Sequence, residues 1–435
     1  MFSTATQLKV IYICFVLNMQ NCFALPTNYL SFKRQQSFSY QPDEDKLVRI
    51  WMFYVGQGDA ILIQIPEALT DSDENFDVLV DAGPNDKLSK ILESLYPSKT
   101  TIENFVISHH DNDHVAGLAH VVKNKDFSIE HVWHNGLVSF VPKAFELSPQ
   151  NLSSKYLVAK KSKNIVQRYM GLVNQENSNF DETYIVDDKA EFKSWYEKEW
   201  YHDVYRKLAK NLLTGDDSPS ILGFDRVFDK SGFIESPHPS ISFNPLWPRE
   251  TPKKYGDWGE TINGNSVSFM FSYGDFDMFF TGDLNEKSEK DLLAYYKERD
   301  RESELKADVL KVPHHGSRHN DEGFFKQVSP VLGVASMGKR GFESNWKHPS
   351  EDVISFLGGS HRIYSTYVHE KRFKYEALTK PYTKMREIKH VLIETDGKWF
   401  RVVEIPINSP LDSIPKVKDV RTGNGTQWIN AKDKS

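Results

Sequence analysis

Apolar and polar positions alternate along this chain with the periods of strands more often than of helices. Leu47–Val55 and Ala60–Ile65 are apolar runs of strand length, and Gly56-Gln57-Gly58-Asp59 between them reads as a tight turn. Asp77–Val80 is a further short strand, running into Asp81-Ala82-Gly83. Lys87–Leu95 has helical spacing, and Asn104–Ser108 is a strand that leads directly into a run of histidines and aspartates. Val115–Lys123 is expected to be a helix and Glu130–Trp133 a strand. Further along, Ser266–Ser272 and Phe276–Thr281 flank Tyr273-Gly274-Asp275 as a hairpin. Asp308–Val312, Val331–Ala335, Arg362–Ser365 and Val391–Glu394 continue the alternation. Strands in both halves, several followed by helices, predict two sheets between helical layers, an α/β fold of αββα type.

Between about 140 and 261 the pattern changes. Lys, Glu, Trp and Tyr become frequent, helices are expected between Lys189 and Leu213, and prolines crowd Ser236–Pro252. This stretch reads as a largely helical insertion within one domain spanning 47–405. A polar lead-in over 25–46 and a polar, loosely ordered tail over 406–435 flank that domain.

Composition adds a compartment. Lys9 precedes the apolar run Val10–Leu17, and Cys22-Phe23-Ala24 supplies small residues for cleavage, so residues 1–24 read as a signal peptide. The run is short for a bilayer span, and no later stretch approaches twenty apolar residues. An exported chain, periplasmic or secreted and without stable membrane insertion after cleavage, is expected. Both cysteines, Cys14 and Cys22, lie inside the signal, which leaves a mature chain with neither disulfides nor thiolate ligands. Any metal must be held by His, Asp or Glu. The 435 residues are 39% hydrophobic and 26% charged, ordinary for a globular protein. The net charge is −6, and loss of Lys9, the one charged residue of the signal, makes it −7. That balance argues against broad, non-specific nucleic-acid binding, and the basic stretches Lys155–Lys163 and His369–Lys389 read as solvated faces.

Three groups of imidazoles and carboxylates stand at the C-terminal ends of predicted strands, where α/β folds gather their sites. The first is His109-X-Asp111-X-Asp113-His114: four candidate ligands within six residues, of the donor types that suit Zn²⁺, Mn²⁺ or Fe. The second is Asp283 in Phe279–Asp283, a carboxylate that can bridge two cations. The third is His314-His315-Gly316-Ser317. Adjacent histidines at a strand exit cannot easily both point inward, so one is expected to ligate and the other to serve the substrate.

Taken in order, Val55–Ala60, Val80–Gly83, Ile107–Leu118, Phe280–Asp283, Leu310–Ser317 and Lys347-His348-Pro349 resemble the metallo-β-lactamase superfamily. Within it they are most similar to the soluble hydrolase domain of ComEC-like DNA-uptake proteins. The resemblance implies two divalent ions, Zn foremost, with Mn or Fe as alternatives. His109 and Asp111 would help to bind one, Asp113, His114 and His315 the other, and Asp283 would bridge them. Asp81 would orient the ligand loop, while His314 and His348 would contact substrate or donate a proton and Asp113 would orient the attacking water. Two departures stand out. Tyr54 lies where ComEC-like chains are usually acidic, and no histidine has the context of the ligand that the wider superfamily carries just before the hairpin; Asn265-Ser266 is there instead. One ion site is therefore expected to be weaker or open. His134, which ends a strand, could approach the centre but reads first as a core or surface histidine.

The implied activity is metal-assisted hydrolysis of a phosphodiester or phosphoester, in nucleic acid or in an envelope component. A lactam, amide or other ester substrate is the competing enzymatic reading, and a non-catalytic metal-binding module on the same fold is the other.

Overall fold

The apolar runs at 47–55 and 60–65 become antiparallel strands β1 (Val48–Met52) and β2 (Ile61–Ile65). β3 (Phe76–Val80) pairs antiparallel with β2, and β4 (Thr100–Val106) and β5 (Phe127–His134) follow it in parallel. Helix α1 (Lys87–Leu95) connects β3 to β4; the short helices α2 (Asn112–Val115) and α3 (Leu118–Val121) connect β4 to β5. The computed structural model describes residues 40, 42–137, 140–142, 158–160, 167–169, 199–201, 223–229, 232–256, 258–339, 341, 347–369, 386–409, 411 and 428–431. Residues from Pro42 onward form one unit. The signal expected over 1–24 lies outside the described residues.

Chain order continues with β6 (Phe140–Pro142), β7 (Val158–Lys160), β8 (Gln167–Tyr169), β9 (Glu199–Tyr201) and β10 (Gly223–Arg226). After β11 (Ile241–Trp247) and α4 (Trp258–Gly264) comes the hairpin β12 (Ser268–Tyr273) and β13 (Phe276–Phe280). Then follow α5 (Glu286–Lys297), β14 (Val309–Lys311), α6 (Glu322–Val328), β15 (Leu332–Ala335) and α7 (Glu351–Phe356). Strands β16 (Ile363–Ser365), β17 (Tyr367–His369), β18 (Arg386–Thr395), β19 (Trp399–Pro406) and β20 (Ile429–Asn430) close the chain. One sheet runs β10-β5-β4-β3-β2-β1-β18-β19-β20, with β17 beside β18. A second runs β11-β12-β13-β14-β15-β16.

The period of two along each strand sorts side chains into three apolar layers. Val48, Ile50, Met52, Ile61, Ile63, Val78 and Val80 of the first sheet meet Phe269, Phe271, Met278, Val309 and Val334 of the second. The alternate residues of the first sheet, Trp51, Leu62, Leu79 and Phe105, pack instead on Leu88 and Leu92 of α1 and Leu118 and Val121 of α3. Those of the second, Met270, Phe279 and Leu310, pack on Leu292 and Tyr296 of α5 and Phe324 and Phe325 of α6. The layering is helix, sheet, sheet, helix, as the sequence predicts. Truncating a large side chain in any layer, Phe271 for example, is expected to cost roughly 3–5 kcal/mol.

The region expected to be a largely helical insertion is different where it is described. Phe140–Pro142, Val158–Lys160, Gln167–Tyr169 and Glu199–Tyr201 form a small antiparallel sheet in the order β7-β8-β6-β9. Glu199–Tyr201 falls within the span expected to be helical; the rest of that span, 189–213, lies outside the described residues. The later part of 140–261 also builds the main sheets. Gly223–Arg226 extends β5 in parallel, and Ile241–Trp247 pairs with β12. The tail holds structure too: Phe400 and Trp399 of β19 pair with Ile429 and Asn430, and Trp428 is buried.

Candidate metal centre

The C-terminal ends of β3 and β4 in one sheet, and of β13 and β14 in the other, deliver the polar residues to one place. Beyond β3, Asp81 adopts a φ of 60°, a left-handed conformation that aspartate tolerates better than most residues. There it serves the loop after β4. The Ser108 backbone N–H donates to Asp81 Oδ1 at 2.8 Å, the Ser108 hydroxyl donates to Oδ2 at 2.6 Å, and His114 Nδ1 lies 2.8 Å from Oδ2. Gly58 and Gly117 allow the close packing of this loop: a Cβ on the first would strike the Asp113 carbonyl, and on the second the Ala82 carbonyl.

From the second sheet, Gly282 (φ 53°) turns the chain after β13. Ser266, hydrogen-bonded from the Asp283 N–H at 3.1 Å, and the capping box of Asn285 with Ser288 at the start of α5 hold Asp283 between them. After β14, His314 and His315 take φ values of 47° and 53° in succession, a rare backbone for non-glycine residues that clusters at functional sites. This twist separates the two rings. His315 points inward, is 1% exposed, and has Nδ1 2.8 Å from the Ser336 carbonyl oxygen. His314 faces the opening, its side chain 27% exposed.

Asp283 Oδ2 is the focus. It lies 3.2 Å from His114 Nε2, 3.4 Å from His315 Nε2 and 3.9 Å from His314 Nε2. His315 Nε2 is also 3.6 Å from Asp113 Oδ2. His109, His114 and Asp283 bring donor atoms within 4.8 Å of one another, as do Asp113, His114 and His315. The Nε2 atoms of His109, His114 and His315 are buried without a hydrogen-bond partner. An orphaned imidazole nitrogen is costly unless something takes its lone pair. Three facing the same carboxylates fit a nitrogen- and oxygen-bound divalent ion.

The electrostatics agree. Burial disfavours charge on His315, but Asp283 and Asp59 outweigh it and push the imidazole up to about 10. Burial likewise opposes charge on His114, yet Asp283 and Asp81 hold it well above the usual range. Burial would raise Asp283, but His315, His114 and Lys311 keep it well below the carboxylate range. Burial works the same way on Asp113, which His315 and His114 hold down to about 2. Carboxylates that force protons onto imidazoles in this way would accept metal cations in exchange for those protons.

His109, Asp113, His114, Asp283 and His315 are thus brought together. Asp111 is the loosest of the expected ligands: its Oδ2 is 4.0 Å from His109 Nε2, its side chain is 32% exposed, and it joins none of the converging donor groups. The tight partners of His109 are His114 and Asp283 instead. His348 stands further back, its ring 5.8 Å from His314 and 6.3 Å from His315. His134 is buried and accepts the Gly136 N–H at 3.0 Å, outside the donor groups. In place of the histidine missing before the hairpin, the Asn265 amide bonds the Lys253 and Thr261 carbonyls, and the Ser266 hydroxyl lies 3.4 Å from His109 Nδ1.

Two buried residues of the centre, Asp59 and Lys311, received no role from the sequence. The Lys311 ammonium pairs with Asp59 Oδ2, lies 3.3 Å from Asp283 Oδ1 and donates to the Gly282 carbonyl at 2.7 Å. Asp59 also accepts from the Ser336 hydroxyl and lies 3.3 Å from His315 Nδ1. A lysine inside the apolar run Val309–Val312 was the available signal.

Comparison with known proteins adds sequence likeness to this geometry. Residues 53–167 match the family model of the metallo-beta-lactamase superfamily. The chain is 31% identical over 96 residues to ComE operon protein 3 of Bacillus subtilis (strain 168), covering 22% of this chain and 11% of that protein. It is 36% identical over 92 residues to competence protein ComA of Neisseria gonorrhoeae, covering 21% of this chain and 12% of that one. The match therefore spans little more than a tenth of these relatives. Similar solved structures include metallo-beta-lactamase SMB-1 bound to 2-mercaptoethanesulfonate, at 10% identity and a TM-score of 0.27 over 75% of this chain and 96% of that one. Another is MEM-A1, a subclass B3 metallo-beta-lactamase from a soil metagenome library, at 12% identity and a TM-score of 0.27 over 65% and 81% of the two chains.

Proposed function

We propose that this chain is an exported metal-dependent hydrolase acting on phosphodiesters or phosphoesters. The observation that carries the hydrolase reading is the convergence of the orphaned Nε2 atoms of His109, His114 and His315 on the Asp283 carboxylate. His114, His315, Asp113 and Asp283 would hold one divalent ion, and His109 with Asp283, aided by Asp111, a second and more open one. When bound, such ions supply Lewis acidity and make a water molecule acidic near neutral pH.

The remaining work falls to the protein. Asp81 fixes the His114 ring through Nδ1 and so aims Nε2 at the centre. Asp113, ionised, is placed to accept a hydrogen bond from an attacking water. Burial lowers the His314 pKa, so its imidazole is neutral. At the opening it can contact a substrate oxygen or relay a proton to the leaving group. His348, also held neutral by burial, with a pKa of about 3, backs it.

Support for a phosphoester comes from the run of motifs shared with ComEC-like chains, from Val55–Ala60 to Leu310–Ser317. Support for export comes from the apolar run after Lys9; no helix of the described residues is long and apolar enough to cross a membrane. A nucleic acid or an envelope phosphodiester would be the partner. The test is a substrate panel on protein reconstituted with Zn²⁺ and with Mn²⁺: a chromogenic phosphodiester, DNA, a β-lactam and a carboxylic ester. Turnover of the phosphodiester is expected; turnover of the lactam alone would overturn the phosphoester reading.

A further inference from the structure

Asp59, Asp283 and His315 bring donor atoms within 4.8 Å of one another, so they could themselves hold a cation. That position already has a positive charge in it. Lys311, 1% exposed, reaches in from the end of β14. Its three N–H donors are matched by three acceptors: Asp59 Oδ2, Asp283 Oδ1 and the Gly282 carbonyl oxygen. Asp59 Oδ1 is engaged as well, by the Ser336 hydroxyl. Of the four oxygens of Asp59 and Asp283, only Asp283 Oδ2 faces the orphaned imidazole nitrogens of His114 and His315.

We propose that Lys311 is a positioning residue whose ammonium is a built-in occupant of the cation position between Asp59 and Asp283. It leaves Asp283 with one oxygen for metal and excludes Asp59 from the ligand set. Without Lys311, four aspartates, Asp59, Asp81, Asp113 and Asp283, would compete for ions in one place, and ions would settle deep beside Asp59, away from His314 and the opening. With it, ions are confined to the Oδ2 side, where a substrate can reach them. The proposal rests on the metal-centre reading above.

Two measurements on the full chain test it. In crystals of the wild type soaked with Mn²⁺ or Zn²⁺, anomalous diffraction is expected to place every ion at Asp283 Oδ2 and the imidazoles, with Lys311 still between the two carboxylates. An ion bound by Asp59 or by Asp283 Oδ1 would overturn the proposal. In equilibrium dialysis against Mn²⁺, Lys311→Met and Lys311→Gln are expected to bind one more ion per chain than the wild type. The extra ion should vanish in Lys311→Met/Asp59→Asn. A purely structural lysine predicts the opposite sign, weaker or fewer ions in the single variants, and folded variants behaving so would overturn the proposal. Should the variants not fold, the crystallographic result decides alone. Absence of any ion in wild type and variants alike would instead remove the metal-centre reading, and this proposal with it.

Discussion

His114 Nδ1 lies 2.8 Å from Asp81 Oδ2, and this contact sets the direction in which the other ring nitrogen faces Asp283. Asp81 is fully buried, and burial raises its pKa although His114 works against the rise. Asparagine shares the tolerance of aspartate for a positive φ, so Asp81→Asn keeps the turn while removing the charge that fixes the imidazole. Metal affinity in this variant is expected to fall roughly 10–100-fold, as for other partners of ligating histidines, measured by competition with a chelating dye. Unchanged affinity would mean that Asp81 is structural only.

The two adjacent histidines are expected to separate by readout. His315→Ala removes a buried nitrogen 3.4 Å from Asp283 Oδ2, and metal content should drop. His314→Ala removes the partly exposed partner and should leave metal content intact while kcat falls about 10²-fold or more, the usual range for a lost proton-transfer group. Metal analysis beside steady-state kinetics distinguishes them, and the reverse pattern would exchange their roles.

A second polar network, far from the centre in its chemistry, gives a pH signature. The Trp51 indole N–H donates to Gln64, Gln64 to the Tyr96 hydroxyl, and Tyr96 to Asp77 Oδ2 at 2.5 Å. Burial pushes Asp77 up to about 7 although the Tyr96 and Gln64 bonds pull the other way. The folded chain therefore holds this proton more tightly than the unfolded chain, where aspartate titrates near 4. The stability it contributes is full below about 4 and is lost as pH rises through about 7. In Asp77→Asn, which can still accept from Tyr96, the fall in unfolding free energy between about pH 4 and 8 should be smaller than in wild type by about 2–4 kcal/mol. Denaturant titrations across that range test this; equal slopes would contradict it.

Gly58 couples the first turn of the fold to the ligand loop. Its φ is 131°, and an added Cβ would run into the Asp113 backbone. Gly58→Ala is expected to lower stability by roughly 2–3 kcal/mol and to weaken metal binding with it. Loss of stability with unchanged metal affinity would show that the Asp113 loop relaxes independently.

Much of this was legible in the sequence, because the apolar runs are long and each ligand motif ends one. His109–His114, Asp283 and His315 follow strands directly, so recognising the strands located the site. Asp59 and Lys311 were harder: one is part of a turn and the other lies inside an apolar run. Only the tertiary fold shows that each neutralises the other. The parallel addition of β10 to β5 and the pairing of Ile429 with Phe400 join segments far apart in the chain, and local periodicity carries no trace of such partners. The composition of 140–261 suggested helices, yet the four strands described between 140 and 201 have three residues each, too short for a period of two to be visible.

A hydrolytic metal centre organised by Asp283 is the core of the proposed function. It is tested most directly by comparing wild type and Asp283→Ala, each reconstituted with Zn²⁺ or Mn²⁺, for hydrolysis of a chromogenic phosphodiester, with metal content measured on the same samples. The wild type should retain divalent metal and turn the substrate over, while Asp283→Ala should lose both metal and activity. A wild type that holds metal yet is no more active than Asp283→Ala on this or any substrate of the panel would contradict the account.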